Sequence, residues 1–566
     1  MTSTATIGKT DEGGYPFDLG TYSRKISTDS EDAQRWFDRG LNWCFGYNHN
    51  EAIVCFQRAA EFDPTCAMIQ WGIAYAAGPN YNLPWDFFTE QQQRDTLEMC
   101  LAALDRAEEL KAGAKPFEQD LIAALFKRYQ SREPVLLPQL YAWAGEYAEA
   151  MGECYKKYPD DLDAICFYGE AMMNKSPWRL WDPVSGKPIE GADTLQIKEV
   201  LEHGINVGRA TEIVHPGVWH LYIHTMEMSP TPEIALRIGD ELRHLVPDAG
   251  HLAHMPTHID VQCGNYLDVV VSNQAGIERD MKFYHYAGAK NFYSLYRCHN
   301  YHFKLYGAMF LGQYEPAINA AREMQRSVGD QVMTADMAAM QGWFEAYMSL
   351  KTHAFVRFGK WQECIDEPLP ENQEMYKMTT AMTWYGRAIG YANLKQDAKA
   401  REAQAEFLKA VKLVPETQVL HVIPCHLILA VGVEMLAGEI EYNAGNIEKG
   451  LDHLRVAVKL EDALPYDEPW PWMMPCRHAL GALLLEQGHL EEAIEAYEAD
   501  LGMSDAVVRA NRHPNNVWAL LGLYSAYRRA GRLNDARKIK PQMDFALARA
   551  DKSIHASCFC SKKKAA

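Results

Sequence analysis

The chain has 566 residues, 48% of them apolar and 23% charged, which is longer than one compact core holds and too apolar for a disordered chain. Its 56 Lys and Arg against 75 Asp and Glu leave a formal charge of −19, which repels phosphate backbones and anionic lipid and argues against nucleic acid as a partner. Thirteen cysteines without regular spacing suit reduced thiols and rule out a disulfide framework as the organising principle.

Residues 1–30 form an N-terminal extension without the apolar run of a secretory signal, so the expected compartment is the cytoplasm. A tetratricopeptide pattern follows: Gly40, Ala52, Phe56, Ala59 and Pro64 stand at offsets 0, 12, 16, 19 and 24, where small residues let two helices approach and the aromatic fills the gap to the next pair. Gly264 with Val269, and Gly312 with Ala317, read as weaker echoes of it. Ala403, Phe407, Ala410 and Pro415 repeat the second-helix offsets, as do Gly438, Gly450, Leu454 and Ala457, then Gly481, Ala493 and Tyr497, and more loosely Trp518 to Ala536. No long apolar–polar alternation interrupts the helix formers. The expected fold is all-α, a tetratricopeptide-type superhelix, open or closed on itself, with loop insertions.

The expected organisation is helical repeats over 31–200, a histidine-rich central array over 201–325, C-terminal repeats over 326–550 and a Cys/Lys tail over 551–566. Asp182–Gly191 is a surface loop by its Pro, Gly and Ser content. Asn80–Phe88, Trp178–Trp181 and Glu468–Pro475 are rich in aromatics and proline, and either line a groove or cavity or staple helix pairs together. The most apolar stretch, Val419–Leu436, is broken by His421, Pro424, His426 and Glu434, so it reads as a buried helix and no membrane span is expected. Cys558 and Cys560 lie too near the end to be core, beside the one basic run, Lys562–Lys564.

Ten of the 20 histidines fall in the 88 residues from His215 to His302. Pro216 suits the first position of a helix with His215 just before it, which places His220, His224 and Glu227 on one face. His251, His254 and His258 are three and four residues apart, and Pro256 must start or kink a helix between them. His299 and His302 supply a third pair. The two leading segments sit a repeat apart, so their clusters are expected to meet. Imidazole sets bind transition metals, whereas Mg²⁺ and Ca²⁺ prefer oxygen. His215, His220, His224, His251, His254, His258, His299 and His302 are therefore the candidate metal ligands. Two facing His₃ centres, with Met226, Met228 and Met255 nearby, favour copper over zinc or iron. Glu227 is the candidate catalytic base or, with Asp260 and Asn300, an orienter of imidazoles. His49 and His285 are lesser candidates for the groove or pocket wall. Protons are expected to displace the ion below about pH 6.

The phrases NHNEAIVCFQRAAEFDPTCAMIQWGIAYAAGPNYN, HPGVWHLYIHTMEMS, AGHLAHMPTHI and RCHNYHF together resemble a group of bacterial and fungal tetratricopeptide-repeat proteins. The resemblance implies the repeat fold and draws attention to the histidines, and implies no reaction. Three functions follow as expectations: a copper-dependent oxidase or oxygenase acting on a small molecule, a zinc-dependent hydrolase, and a non-catalytic scaffold for a peptide or protein partner. Nucleotide-loop and serine-hydrolase motifs are absent from the sequence.

Overall fold

Phe56 shows how the first repeat closes. A Cβ on Gly40 would lie 2.5 Å from its ring and one on Gly72 2.8 Å, so the ring fills the gap between its own hairpin, Glu31–Phe45 with His49–Phe62, and the next helix, Ala67–Ala77. Tyr497 does the same near the other end, wedged between Gly481 and Gly522. The pattern residues are thus structural. In the computed structural model, which describes residues 14–328, 333 and 338–561, such helical hairpins succeed one another along the chain. Among the described residues the strands are confined to one short pair, Val419–Leu420 against Ile423–Pro424. Gly264 and Gly312 depart from the expected pattern: at φ +75° and +73° they end the helices Pro256–Cys263 and Tyr293–Leu311, the left-handed conformation that favours glycine there.

Two hydrophobic cores form, one from Tyr15 to Tyr296 with Tyr466 added and the other from Tyr266 to Cys560. They meet on the helices between Gly250 and Leu311. Both ends fold back onto this middle. Asp18 N–H bonds Asp248 Oδ2 (2.6 Å), Arg509 donates to Gln262 O (2.9 Å), Trp518 Nε1 to Met309 O (2.7 Å), and Asp551 accepts the backbone N–H of Tyr314 (2.7 Å). Each end thus packs against the central helices.

The tail differs from expectation. Cys558 and Cys560 are joined by a disulfide and Cys560 is buried, while Ser557 bonds His478 O (2.8 Å) and Phe559 packs on Trp518. The apolar core of the last repeats holds this segment in place; Lys562–Lys564 and residues 1–13 lie outside the described residues. Val419–Leu436 divides into the strand pair and the start of the helix Cys425–Asn443, and among the described residues no helix is long and apolar enough to cross a membrane.

Candidate metal centre

Three buried helical segments bring the histidines together. His215 caps Pro216–Met226, its Nδ1 accepting Val218 N–H (3.1 Å), and places His220 and His224 one turn apart on a helix buried on every side. Pro256 lacks the N–H that would continue the preceding turn, so the chain breaks into Gly250–His254 and Pro256–Cys263 and turns His251 away from His258. Gly250 is required here, because a Cβ would run into Asp280 Oδ1. Tyr293–Leu311 adds His299 and His302.

The rings assort into sets that cross the helix boundaries. His220, His224 and His251 have ligand nitrogens within 4.8 Å of one another, and so do His254, His258 and His299. The triads adjoin, with ring centroids 6.0 Å apart for His224–His258 and for His251–His254. Tyr47 covers the first triad, 4.5 Å from His220, and Phe303 the second, 4.7–4.9 Å from its three rings. Tyr47 reaches its place from the turn of the first repeat at φ 54°.

The outer partners fix the tautomers. His220 Nδ1 donates to Phe45 O (2.8 Å). His254 Nδ1 donates to Asn273 Oδ1 (2.7 Å), whose amide is oriented by its own N–H bonds to Val269 O and Thr257. Glu227 takes the Nδ1–H of His224 (2.9 Å) on one oxygen and that of His258 on the other. Each ring so held turns an Nε2 lone pair inward. His254 Nε2 and His258 Nε2 then face each other at 2.8 Å, and His220 Nε2 lies 3.1 Å from His251 Nε2. A hydrogen bond between the first two needs a protonated ring. Burial, the larger influence on each, lowers both imidazoles to about 3, which works against that proton. Two nitrogens at ~2.0–2.1 Å from one ion lie ~2.9–3.4 Å apart, close to the spacing observed. The histidine clusters could hold metal ions.

Other expected site residues lie outside these sets. His215 has both ring nitrogens engaged, Nδ1 at the helix cap and Nε2 with Asp163 (3.1 Å). Glu227 is poorly placed as a base, since both oxygens receive imidazole N–H groups. Asp260 pairs with Arg243 (2.6 Å) and Asn300 bonds Asp280 (2.6 Å), so neither orients an imidazole. His49 Nδ1 bonds Ala76 O (2.9 Å) and His285 is exposed. Two members were missed. His421 sits in the turn of the strand pair at φ 49°, Nδ1 donating to Asp467 (2.7 Å), and forms a third set with His299 and His302. Glu468, from the proline-rich loop, lies 3.2 Å from His258 Nδ1. Burial, then the neighbouring Glu227, pushes its carboxyl well above the usual range.

His251, His258, His299 and His421 form one wall of a cavity whose other walls are Phe87, Trp178, Tyr296, Trp343 and Tyr347. About 60 Å³ of it is open to the centre of a water molecule, room for about four to six water-sized groups at ~10–15 Å³ each. Phe87, Trp178 and Val422 separate it from an outer cleft of about 830 Å³ measured the same way. The aromatic and proline-rich segments therefore line a cavity.

No family model and no curated protein matches the chain. Solved structures similar to it include human IFIT1, as a monomeric mutant with m7Gppp-AAAA, at 13% identity and TM-score 0.31 over 85% of this chain and 90% of that one. Yeast Tom70 follows at 11% identity and TM-score 0.29, with 90% of this chain and 99% of Tom70 covered. The APC/C hetero-tetramer Cut9–Hcn1 is similar at 11% identity and TM-score 0.21 over 93% of this chain and 94% of that one. All three scores are low, and nothing about a site or a partner passes from these proteins to this chain.

Proposed function

We propose that the chain is a metal-dependent oxidoreductase in which the two adjoining histidine triads hold a pair of copper ions beside a cavity for a small, ring-sized molecule. The observation that carries this is the inward-facing lone pairs of His254 and His258, 2.8 Å apart with both outer nitrogens already committed as donors. An imidazole-only donor set favours copper or zinc over Mg²⁺, Ca²⁺ or the two-histidine, one-carboxylate set of non-haem iron. Two triads side by side suit a pair of ions.

Copper at these positions would supply one-electron redox chemistry at each ion. The protein's share is definite. His220, His224 and His251 would hold one ion, and His254, His258 and His299 the other. Phe45 O, Asn273 and Glu227 keep the ligand nitrogens unprotonated, Tyr47 and Phe303 exclude water, and Phe87, Trp178 and Val422 narrow the way in. The aromatic walls select a flat apolar head, and the outer cleft, with Lys175, Arg179, Asp86 and Asp462 on its sides, accommodates a polar remainder.

A second reading is a repeat scaffold for a peptide or protein partner, favoured by the tetratricopeptide packing of the C-terminal hairpins and by the width of the outer cleft. Oxygen uptake by the untagged, copper-loaded chain with a panel of one-ring phenols and anilines separates the two. Turnover that disappears in His220→Ala/His224→Ala supports the enzyme. No turnover, with partner binding retained in that variant, supports the scaffold.

A further inference from the structure

The third histidine set is not explained by the two triads. His302 is fully buried, and neither ring nitrogen has a hydrogen-bond partner. A neutral imidazole carries one donor and one acceptor, and leaving both unmet in a dry interior is unfavourable. His299 Nδ1 is also without a partner. His421 repeats the device seen in the triads: Asp467 takes its Nδ1–H (2.7 Å) and so aims the Nε2 lone pair toward the other two rings. The ligand nitrogens of His299, His302 and His421 lie within 4.8 Å of one another.

Charge points the same way. Glu227, Asp467 and Glu468 are each no more than 4% exposed, and among the described residues their only ion-pair partners are histidines. Asp260 and Asp163, by contrast, have guanidinium partners, Arg243 and Arg24. Three buried acids are thus gathered around the imidazoles of the site.

We propose that His299, His302 and His421 form a third metal position, contiguous with the pair, so that the centre is trinuclear. The inference rests on the reading of the triads as metal sites. His299 belongs to two sets and would give one ring nitrogen to each ion, its N–H proton passing to solvent on loading. The Tyr347 hydroxyl, which now bonds His421 Nε2, would be replaced there by the ion and left in the cavity that it lines.

The test is the number of ions bound by chelator-stripped, full-length protein after saturation with copper(II), and separately with zinc(II), and gel filtration. Wild type is expected to retain three equivalents, and His302→Leu and Asp467→Asn two each. Metal-free His302→Leu should melt higher than wild type, because an apolar side chain replaces an orphaned polar one. Should His302→Leu fail to fold, Asp467→Asn alone decides. Two equivalents in wild type, or an unchanged count in the folded variants, would overturn the third position and leave the pair standing. No metal in wild type would overturn both.

Discussion

Replacing Glu227 by Gln perturbs the ligand-orienting device with the smallest change of shape. The wild-type carboxylate accepts an N–H from His224 (2.9 Å) on one oxygen and one from His258 on the other. A carboxamide has one acceptor oxygen, and its other end donates. One of the two rings must therefore accept at Nδ1 and move its proton to Nε2, which withdraws a lone pair from one triad. Loss of such an outer partner typically costs ~10–100-fold in metal affinity, or ~1.4–2.7 kcal/mol. Removing a negative charge beside the ions acts in the same direction, and at 1% exposure Glu227 is little screened. The assay is competition against a chelator of known affinity, with helical signal and melting of the metal-free proteins as controls. Metal-free Glu227→Gln should keep its fold, because the carboxamide has the shape of the carboxylate it replaces. A folded variant with unchanged affinity would refute the role given to Glu227.

Acidification acts on the metal-free chain through its buried imidazoles. His224, His254 and His258 are lowered to about 3 from 6.5 by burial; between these values the unfolded chain binds more protons than the folded one, so stability present above 6.5 is lost as pH falls toward 3. Melting scans should show this slope in metal-free protein, shallower in His254→Leu/His258→Leu, and metal should persist below the pH of about 6 expected for unshifted histidines; a flat profile would contradict it. Gly481→Ala must displace Tyr497 and should cost ~1–3 kcal/mol in denaturant titration while leaving metal affinity unchanged. Trp178→Ala opens the neck between cleft and cavity and should speed removal of the ions by a small chelator several-fold in stopped-flow, with little change in equilibrium affinity; an unchanged rate would mean that access lies elsewhere.

The repeat fold was legible because Gly40, Phe56, Gly481 and Tyr497 stand at spacings that only close helix packing demands. The triads were legible in part, because one-turn spacing and Pro256 fix which way His220, His224, His254 and His258 point. That His251 joins the first triad was not, since it follows from how two hairpins stack. His421 and Glu468 come from a short turn and a proline-rich loop more than a hundred residues downstream, and only the packing of those segments against the central helices brings them in. That His215 caps its helix was not legible, because a capping imidazole and a ligand imidazole look alike before a helix. The tail misled because nearness to the end says nothing about docking when Ser557 and Phe559 have a core to meet.

The most direct measurement is metal analysis with X-ray absorption on untagged protein from cells supplied with copper, zinc and iron. The account predicts copper in at least two equivalents, an imidazole-nitrogen environment as the triads provide, and loss of metal with helices retained in His220→Ala/His224→Ala/His254→Ala/His258→Ala. A chain that binds no metal, or one whose metal survives those four substitutions, would contradict it.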